Sequence, residues 1–588
     1  MPIKLGPDGG FFPKDRAGVL AVLLHAYNHT PGSLEPVAAA FRDACPDSDL
    51  FAPRLPVSTF SWSDPDRLAA EIVATVDELC ARRQAQSDGA GYRSIVLIGH
   101  SLGAVLARKV WALAHGAKPS GEIDRARARP WAGSIARIVL LAALSRGWMI
   151  SSALDPVARL TWTIGSAWGN FCRFVLRREP LIFGFRRGAP FLTTTRLQCL
   201  AVAACLREES VDLPTTVQLL GTADDYVAPT DNVDLATAED FYYLEVTEAT
   251  HRGIVTLEEG NSLARLRAAL TADRKSLEAV ALAKEDVFDL FEESADDHDA
   301  AAVATSNRSV RHVVFVIHGI RDRGFWTRRI ARRIKQLARP RGGCRTVTST
   351  YGYFPMGPFL VPWMRRAKVE WLLDQYVTAR ALYPVADFSY VGHSNGTYLL
   401  ARALELCPAV RFRRIVFAGS VVPCRYDWRR FLPSDPAGAA TPPQIEKIVN
   451  YVATADWVVA IFPHGLERLR LPDLGGAGHH GFVDRSGALV TNVRYVVGGH
   501  SAALVADHWD EMAEFVLGGP EPRAHRGTEP STTVAWLGRW APLVWGLLIL
   551  AIVGIGGLIL APLGARGWIF ALLFALYLSL LRIVATKA

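Results

Sequence analysis

Two stretches of the sequence, RSIVLIGHSLGAVLARKVW at residues 93–111 and ADFSYVGHSNGTYLLARAL at residues 386–404, share one pattern. Each begins with an apolar run of strand length, continues through Gly-His-Ser-x-Gly, and ends in a stretch with the apolar content of a packed helix. At such a strand-to-helix turn the glycines let backbone and helix crowd together, and the serine hydroxyl is left exposed. The pattern therefore predicts two nucleophilic serines, Ser101 and Ser394.

The similarity extends beyond these stretches and indicates a duplicated domain. The offset between the copies is 293 positions up to the serines and 232 at the next shared acid, so copy one contains about 61 additional residues. Short β-branched runs alternate with amphipathic stretches such as Pro65–Arg83 and Trp326–Ala338, which predicts an α/β fold with a mostly parallel sheet flanked by helices in each copy. The other matched segments are VLAVLLHAYN (19–28) with HVVFVIHGIR (312–321), RIVLLAALS (137–145) with RIVFAGSVV (414–422), and VQLLGTADDYVA (217–228) with VNYVATADWVVA (449–460).

A serine is a poor nucleophile at neutral pH and needs a base that is oriented by an acid. In copy one, Asp224 follows the predicted strand Thr216–Leu220, and His251 follows the predicted strand Tyr242–Val246. Serine, aspartate and histidine thus occur in the chain order expected of an α/β-hydrolase. Asp225 is an alternative to Asp224, because either acid could end the strand.

Copy two repeats this order with Asp456 after the predicted strand Ile448–Ala453 and His500 after Asn492–Val497. His479 and His480, in the sequence GGAGHHG, are alternatives to His500 as the base or could form a weak metal pair. Because the sequence reveals no third ligand beside them, we interpret this segment as a polar loop and predict no metal site.

The oxyanion of acyl transfer needs two backbone N–H donors, one from the residue after the nucleophile and one from the turn after the first strand. Copy two has the His-Gly pair that lets backbone approach at that turn, whereas copy one has His-Ala. The predicted donors are Ala26, Tyr27 and Leu102 in copy one, and Gly319, Ile320 and Asn395 in copy two.

With these motifs the chain resembles the α/β-hydrolase superfamily, in particular its serine esterases and lipases, over roughly residues 15–270 and 310–517. The resemblance implies an eight-stranded, mostly parallel sheet and ester hydrolysis through an acyl-serine without a cofactor. It carries the catalytic roles to Ser101, Asp224 and His251 and to Ser394, Asp456 and His500. Copy two departs in that its acid follows its serine by only 62 positions, too few for a large lid. The superfamily also contains thioesterases, peptidases, haloperoxidases and inactive members, so the resemblance leaves the reaction subclass open.

The additional residues of copy one lie within Arg146–Leu200 and mix aromatic and basic side chains. One interpretation is a lid over the serine that places aromatics among acyl chains and arginines on phosphates. The other is an ordinary helical cap with a solvated basic face. The residues concerned are Trp148, Trp162, Trp168, Phe171, Phe174, Phe183, Phe185, Arg159, Arg173, Arg177, Arg178, Arg186 and Arg187.

The C-terminus is apolar enough for a membrane. Ala541–Leu563 contains no charge, and a second apolar run covers Trp568–Leu581, which together predict a transmembrane helical hairpin. A buried hairpin of a soluble protein is the alternative. Arg566 alone lies in the turn, whereas five basic residues flank the open end, so the open end and the soluble domains are predicted to face the cytoplasm. Those five residues are Arg523, Arg526, Arg539, Arg582 and Lys587.

Composition agrees with a membrane-attached globular protein. Of the 588 residues, 50% are hydrophobic and 21% are charged, which excludes a disordered chain. The mean hydropathy is +0.15 and the net charge +8, without the Lys-rich tail or zinc-finger spacing of nucleic-acid binders, which favours anionic lipid over nucleic acid as the partner. Eight cysteines form no CxxC pair, which indicates a reducing compartment, and the N-terminus lacks the apolar core of a signal peptide.

We therefore predict a membrane-anchored serine hydrolase that cleaves acyl esters, plausibly lipids, with no cofactor. The alternatives are a thioesterase or amidase on the same residues, and a membrane-tethered scaffold with one inactive copy. Eight acids and no Lys or Arg between Glu285 and Asp299 predict a linker. The predicted divisions are domain one (1–284, insertion at about 146–200), an acidic linker (285–310), domain two (311–517), a second linker (518–540) and the hairpin (541–588).

Overall fold

The computed structural model divides the chain into two compact units. Unit one comprises Met1–Ser306, Leu373–Leu382 and Cys407–Ala409, and unit two comprises Asn307–Leu372, Tyr383–Leu406 and Val410–Ala588. The structure describes residues 5–15, 17–87, 89–150, 156–224, 232–234, 241–283, 286, 308–322, 324–431, 443–468, 473–483, 489–524, 528–561 and 567–587.

A seven-stranded sheet forms the centre of unit one. Its strand order is β1-β3-β2-β4-β5-β6-β7, with β1 antiparallel to β3 and every other neighbouring pair parallel. The strands are β1 (Gly9–Phe12), β2 (Val19–Leu24), β3 (Ser48–Pro53), β4 (Ser94–His100), β5 (Ile135–Leu141), β6 (Thr215–Gly221) and β7 (Phe241–Val246). The α-helices before the second sheet are α1 (Glu35–Ala44), α2 (Pro65–Gln86), α3 (Leu102–Ala114), α4 (Pro156–Phe171), α5 (Pro190–Glu208), α6 (Gly253–Thr256), α7 (Ser262–Thr271) and α8 (Arg274–Glu278).

Both faces of this sheet are buried, as the continuous apolar runs of its central strands require. Alternate residues of β2 enter different cores: Leu20 and Val22 contribute to the core that contains α2 and α3, and Ala21 and Leu23 to the core that contains α1 and α7. The sheet is thus held rigid from both sides, and the loops at its carboxyl edge are left to carry function.

Unit two has a six-stranded sheet in the order β13-β12-β11-β10-β8-β9, and all of its neighbouring strands are parallel. The strands are β8 (Val310–Ile317), β9 (Gly343–Val347), β10 (Asp387–His393), β11 (Phe412–Ala418), β12 (Ile445–Ala453) and β13 (Val490–Val496). The α-helices from β8 onward are α9 (Phe325–Ala338), α10 (Met356–Leu360), α11 (Pro362–Leu382), α12 (Asn395–Leu406), α13 (Trp457–Arg468), α14 (Ala477–His480), α15 (Trp509–Val516), α16 (Thr532–Arg539), α17 (Ala541–Leu560) and α18 (Trp568–Lys587).

The predicted α/β fold with mostly parallel sheets is confirmed, and each strand and helix predicted around the serines, acids and histidines is present within three residues of its predicted ends. The strand count implied by the resemblance is wrong for the described residues: the sheets have seven and six strands rather than eight. Unit two has no antiparallel edge strand comparable to β1 in its described part.

Two segments singled out in the sequence, the insertion of copy one and the predicted linker at 518–540, contain packed helices. In the second half of the insertion, α5 packs against α3 and buries side chains such as Phe191 and Leu192. The predicted linker at 518–540 contains α16, and its described part hydrogen-bonds to unit two. For example, the Ser531 N–H donates to the Thr454 carbonyl at 2.9 Å and the Arg494 N–H to the Ala524 carbonyl at 2.7 Å. The acidic linker lies almost entirely outside the described residues.

Within the part of the chain that the structure describes, one helix, α17, is long and apolar enough to cross a membrane. The neighbouring α18 has a shorter apolar part, Trp568–Leu581. The two helices pack on each other, because the Tyr577 hydroxyl donates to the Ile552 carbonyl at 3.2 Å and a Cβ at Gly556 would lie 2.6 Å from the Phe574 ring. They therefore form an antiparallel apolar pair at the end of the chain.

Candidate active site

Ser101 sits in a strained turn between β4 and α3. Its φ of 55° and ψ of −113° lie in a region that non-glycine residues rarely adopt, and its N–H donates to the Leu141 carbonyl at 2.9 Å. A Cβ at Gly99 would lie 2.4 Å from the Gly103 carbonyl oxygen, and one at Gly103 would lie 2.1 Å from the Leu24 carbonyl oxygen. The two glycines of the motif are therefore required by close backbone approach.

Ser394 occupies the equivalent turn between β10 and α12. Its φ is 52°, and its N–H donates to the Ala418 carbonyl at 3.0 Å. A Cβ at Gly396 would lie 2.6 Å from the Ile317 carbonyl oxygen, so the helix again packs directly on the first strand of the sheet. The same strain at both serines indicates one local design used twice.

The structure brings together each predicted histidine and acid. His251 Nδ1 lies 2.9 and 3.2 Å from the two carboxylate oxygens of Asp224, and His500 Nδ1 lies 3.0 and 3.1 Å from those of Asp456. Both carboxylates are almost completely buried. A carboxylate at Nδ1 holds the proton on that nitrogen, which leaves Nε2 able to accept a proton from a nucleophile.

Asp456 is held in its charged form by its surroundings. Burial by itself would raise the pKa of this carboxyl group, but the His500 imidazole and the N–H of Val459, which donates at 3.0 Å, outweigh burial and lower the pKa. An aspartate that stays ionised can orient a histidine and stabilise the imidazolium that forms when it accepts a proton.

The histidine before each serine supports the other histidine, a role that the sequence analysis did not assign. His100 Nε2 donates to the His251 carbonyl at 3.0 Å, and His393 Nε2 donates to the His500 carbonyl at 3.3 Å. Burial lowers the pKa of His100 and lowers that of His393 to about 3, so both imidazoles are neutral at physiological pH. The signal that could have found them is the histidine present in both Gly-His-Ser motifs.

The predicted oxyanion donors lie at the carboxyl ends of the first strands and at the starts of the helices after the serines. Leu102 and Asn395 are the first residues of α3 and α12, where backbone N–H groups have no partner within the helix. Gly319 lies so close to the nucleophile that a Cβ there would be 2.7 Å from Ser394 Cβ and 3.2 Å from Ser394 Oγ. Since Ala26 carries a Cβ, the turn of copy one cannot make the same approach. Tyr27 and Ile320 follow these residues and are half-buried.

Tyr351 is a further buried residue at the oxyanion side of copy two that the sequence did not reveal. Its hydroxyl lies 2.8 Å from the Gly319 carbonyl and accepts a hydrogen bond from Asn395 Nδ2 at 3.1 Å. Its ring stacks on His318 with centroids 4.4 Å apart. Tyr351 therefore ties together the two backbone segments that carry the predicted donors.

Of the alternatives left open by the sequence, Asp225 lies outside the described residues. His480 is exposed on α14, and its ring is 4.4 Å from that of His464 and 4.6 Å from that of His479. His500, and not His480, is the histidine bonded to Asp456.

The first half of the insertion exposes an apolar stripe. On α4 and the π-helical turn Cys172–Leu176, residues three and four positions apart face solvent, with exposed fractions between 50 and 61%. Trp162 was predicted to share this surface but is half-buried, with its ring 5.1 Å from that of Trp148. Arg186 stacks on Phe183, and Arg173 pairs with Glu179, so not every predicted arginine faces outward. The exposed stripe consists of Leu160, Ile164, Trp168, Phe171, Phe174, Val175 and Leu176.

In unit two the apolar C-terminal pair packs beside the second site. Helix α13 starts one residue after Asp456, and Trp545 of α17 donates Nε1–H to the Ile461 carbonyl of α13 at 3.3 Å. The Trp545 ring meets Phe462 edge-on with centroids 5.5 Å apart, and a Cβ at Gly465 would lie 3.0 Å from it. Helix α18 contacts α10. Exposed aromatic side chains surround this region, namely Tyr353, Trp363, Trp457, Trp536 and Trp540.

Comparison with known proteins supports a hydrolase. Residues 21–274 match the family model described as the alpha/beta hydrolase family, which is less than half of the chain. Together with the seven-stranded sheet, this match makes the first unit similar to that family and supports an ester-hydrolysing enzyme. No curated protein matches the sequence significantly.

Several solved structures match part of the chain. Esterase B from Lactobacillus rhamnosis is 12% identical with a TM-score of 0.28, covering 46% of this chain and 78% of its own. A monoacylglycerol lipase from Paleococcus ferrophilus is 13% identical with a TM-score of 0.26, covering 44% and 98%. A thermophilic esterase from Thermogutta terrifontis is 16% identical with a TM-score of 0.28, covering 46% and 89%.

Proposed function

We propose that the protein is a membrane-anchored serine hydrolase that cleaves acyl esters at two sites through acyl-serine intermediates. The observation that supports this most strongly is the repetition, at the carboxyl edges of both sheets, of a serine at positive φ together with a buried aspartate bonded to a histidine Nδ1. Positive φ at a serine costs free energy that a merely structural turn could avoid by using glycine.

The proposed reaction starts when the serine Oγ attacks the ester carbonyl carbon and the histidine Nε2 accepts the hydroxyl proton. The carbonyl oxygen becomes an oxyanion, to which the N–H groups of Leu102 or Asn395 and of the first-strand turn donate. Collapse of the intermediate breaks the bond to the alcohol, which leaves with the proton from the imidazolium. Water then attacks the acyl-serine by the same steps and releases the carboxylic acid.

For domain two we propose that the ester comes from a membrane. The helix after Asp456 is bonded to Trp545 of the candidate span, and the exposed tryptophans Trp536 and Trp540 precede that span, as aromatic side chains do at a membrane interface. With the hairpin inserted, the site side of this domain would face lipid headgroups. In domain one the exposed stripe on α4, with Arg159 at its side, has the composition of an interfacial helix.

Labelling the full-length protein in detergent with a fluorophosphonate, followed by peptide mapping, tests the reaction. We expect covalent adducts on Ser101 and Ser394. Heat-denatured protein is the control, because labelling there would report exposure and not activation. An adduct on only one serine would make the other copy a binding domain, and the absence of both would refute the serine mechanism. Matched oxygen ester, thioester and amide substrates then separate an esterase from a thioesterase or amidase.

Anchoring needs a separate experiment. A chain that ends at Trp540 keeps α16 on the domain and removes both apolar helices, so we expect it in the soluble fraction, whereas the full-length protein should require detergent. Reporter fusions at Ala588 should read as cytoplasmic, because the basic residues flank the open end of the hairpin. A reporter on the opposite side of the membrane would refute the orientation.

A further inference from the structure

His464 and Glu467 lie three positions apart on one face of α13, and Cys424 lies in the loop after β11. One ligand atom from each of these three side chains lies within 4.8 Å of the other two. His464 Nδ1 is 3.6 Å from Glu467 Oε2. A thiol, an imidazole and a carboxylate that converge from two segments form a cluster with no role in the proposed ester hydrolysis.

The carboxylate of this cluster is held in place by the backbone. Glu467 Oε1 accepts the N–H of Cys424 at 3.0 Å, and Oε2 accepts the N–H of Gly476 at 2.8 Å. Each oxygen keeps a second lone pair for another partner. Hydrogen bonds that orient a ligand from outside are the usual support of a metal ligand.

The glycine loop before α14 closes over the cluster. A Cβ at Gly476 would lie 2.7 Å from His464 Nδ1, and a Cβ at Gly475 would lie 2.6 Å from Glu467 Oε2. Among the described residues, His464 Nδ1 is buried without a hydrogen-bond partner. A buried imidazole nitrogen with no hydrogen bond is costly unless something else coordinates it.

We propose that Cys424, His464 and Glu467 bind a zinc ion in domain two. Sulfur, nitrogen and oxygen donors together suit Zn²⁺ better than the all-oxygen cations. Tetrahedral zinc bonds place a nitrogen and an oxygen ligand about 3.4 Å apart, and the observed 3.6 Å between His464 and Glu467 is close to that separation. The thiolate should approach them slightly as the metal binds.

The charges of this site balance. Zinc binding releases the Cys424 thiol proton to solvent, and the thiolate and the carboxylate together neutralise the 2+ ion, as a partly buried site requires. The His480 ring lies 4.4 Å from that of His464. The metal would join the loop after β11 to α13, the helix that starts beside Asp456, and so hold the acid side of the second site.

The test is the metal content of full-length protein, purified in detergent through a tag without histidines and measured by inductively coupled plasma mass spectrometry. We expect about one zinc ion per chain in the wild type and less than a tenth of that in Cys424→Ser and His464→Gln. Cys344→Ser, which removes a thiol from β9, is the matched control and should keep its zinc. A wild type that holds no zinc after incubation with the metal, or a Cys424→Ser protein that holds as much as the wild type, would overturn the proposal.

Cobalt substitution separates coordination from loss of folding. Adding Co²⁺ to metal-free wild type and Cys344→Ser should produce a thiolate-to-cobalt charge-transfer band that saturates at about one equivalent. Cys424→Ser should lack this band while keeping the circular dichroism spectrum of the wild type. A band of equal intensity in Cys424→Ser, or none in the wild type, would contradict the assignment. None of these measurements depends on the proposed hydrolase activity.

Discussion

The Ser101 and Ser394 sites agree in their acid–base geometry and differ in everything that surrounds it. The serine φ angles are 55° and 52°, and the shortest histidine–aspartate distances are 2.9 and 3.0 Å. On the oxyanion side, however, copy one has an alanine where copy two has a glycine pressed against the nucleophile. Near the second site lie two apolar C-terminal helices, whereas the first has an inserted helix with an exposed apolar stripe.

This comparison indicates which features the two proposed sites must share and which can differ. Proton transfer depends on distances of about 3 Å, so the serine turn and the histidine–aspartate pair tolerate little change. The loops that admit the substrate follow the strands and can diverge without disturbing them. We therefore expect the two sites to share a chemistry and to differ in substrate, and the following experiments compare them directly.

The largest effect should come from the serines. Ser101→Ala should abolish turnover by domain one and Ser394→Ala that by domain two, each by several orders of magnitude and on the order of 10⁶. Each single variant isolates the activity of the other domain within the same chain. Wild-type ester turnover in the double variant would refute the mechanism.

The acids should have the next largest effect. Asp224→Asn and Asp456→Asn leave the shape of the site intact but remove the anion that orients the imidazole, so kcat should fall by roughly 10⁴ in the affected domain. Asp225→Asn is the matched control. A greater loss of kcat from Asp225→Asn than from Asp224→Asn would identify Asp225 as the acid that orients His251. Activity that survives in a His500→Ala chain and depends on His480 would refute His500 as the base.

Substitutions in the turn after the first strand, where oxyanion donors are predicted, should affect the two sites differently. Gly319→Ala adds a Cβ 2.7 Å from Ser394 Cβ and should lower kcat of domain two by about 10²–10³, the range for a displaced oxyanion donor. Ala26→Gly should leave domain one at or above its wild-type rate, because no clash is introduced. Equal tolerance of both substitutions, measured in the serine-to-alanine backgrounds, would mean that the two turns act alike.

The inserted helix should matter only on a membrane. In a Ser394→Ala background, Trp168→Ala should weaken binding to anionic vesicles by about tenfold or more, since burying one large side chain is worth roughly 2 kcal/mol. High salt should weaken binding further through the exposed arginines. Trp162→Ala is the control: it removes packing on Trp148 and should lower stability instead. Loss of hydrolysis of a short soluble ester in Trp168→Ala would indicate a structural role for the stripe.

The smallest effect should be on the pH dependence of stability. Because burial lowers the pKa of His393 to about 3 from an unfolded value of 6.5, its contribution is complete above pH 6.5 and is lost as the pH falls toward 3. His393→Gln keeps an amide N–H for the His500 carbonyl but cannot titrate. Thermal unfolding between pH 4 and 6.5 should therefore show a shallower decline in this variant, by up to about 1.4 kcal/mol per pH unit. An unchanged slope would show that His393 does not control it; His100→Gln makes the same comparison in copy one.

Much of the fold could be predicted from the sequence because its signals are local. The strand, turn and helix around each serine are determined by adjacent residues. The later acids and histidines could be recognised because the internal repeat shows each of them twice, in the same order. The direction of a side chain on an inserted helix is not local, so Trp162 and Trp168 could not be told apart until their packing was known. The strand count failed for a similar reason, since an edge strand depends on which neighbour is available to pair.

Contacts between distant segments account for what the sequence left out. Tyr351 has no recognisable motif and acquires its role only because the loop after β9 approaches Asn395. The sequence shows no third ligand beside His479 and His480, and Cys424, His464 and Glu467 are too far apart in the chain to form a recognisable metal motif. No spacing rule joins residues that meet only when the loop after β11 contacts α13.

The bond between Trp545 and α13 has a mechanical consequence. Helix α17 has 20 residues and is therefore about 30 Å long, close to the hydrocarbon thickness of an average bilayer. In a thinner bilayer a helix of this length must tilt. Trp545 lies near the first turn of α17 and is hydrogen-bonded to α13, the helix that begins beside Asp456. In the proposed arrangement, a change in the tilt of α17 would therefore displace α13 and with it the acid of the second site. Bilayer thickness then becomes a variable of catalysis, set by the lipid composition of the membrane in which the enzyme resides.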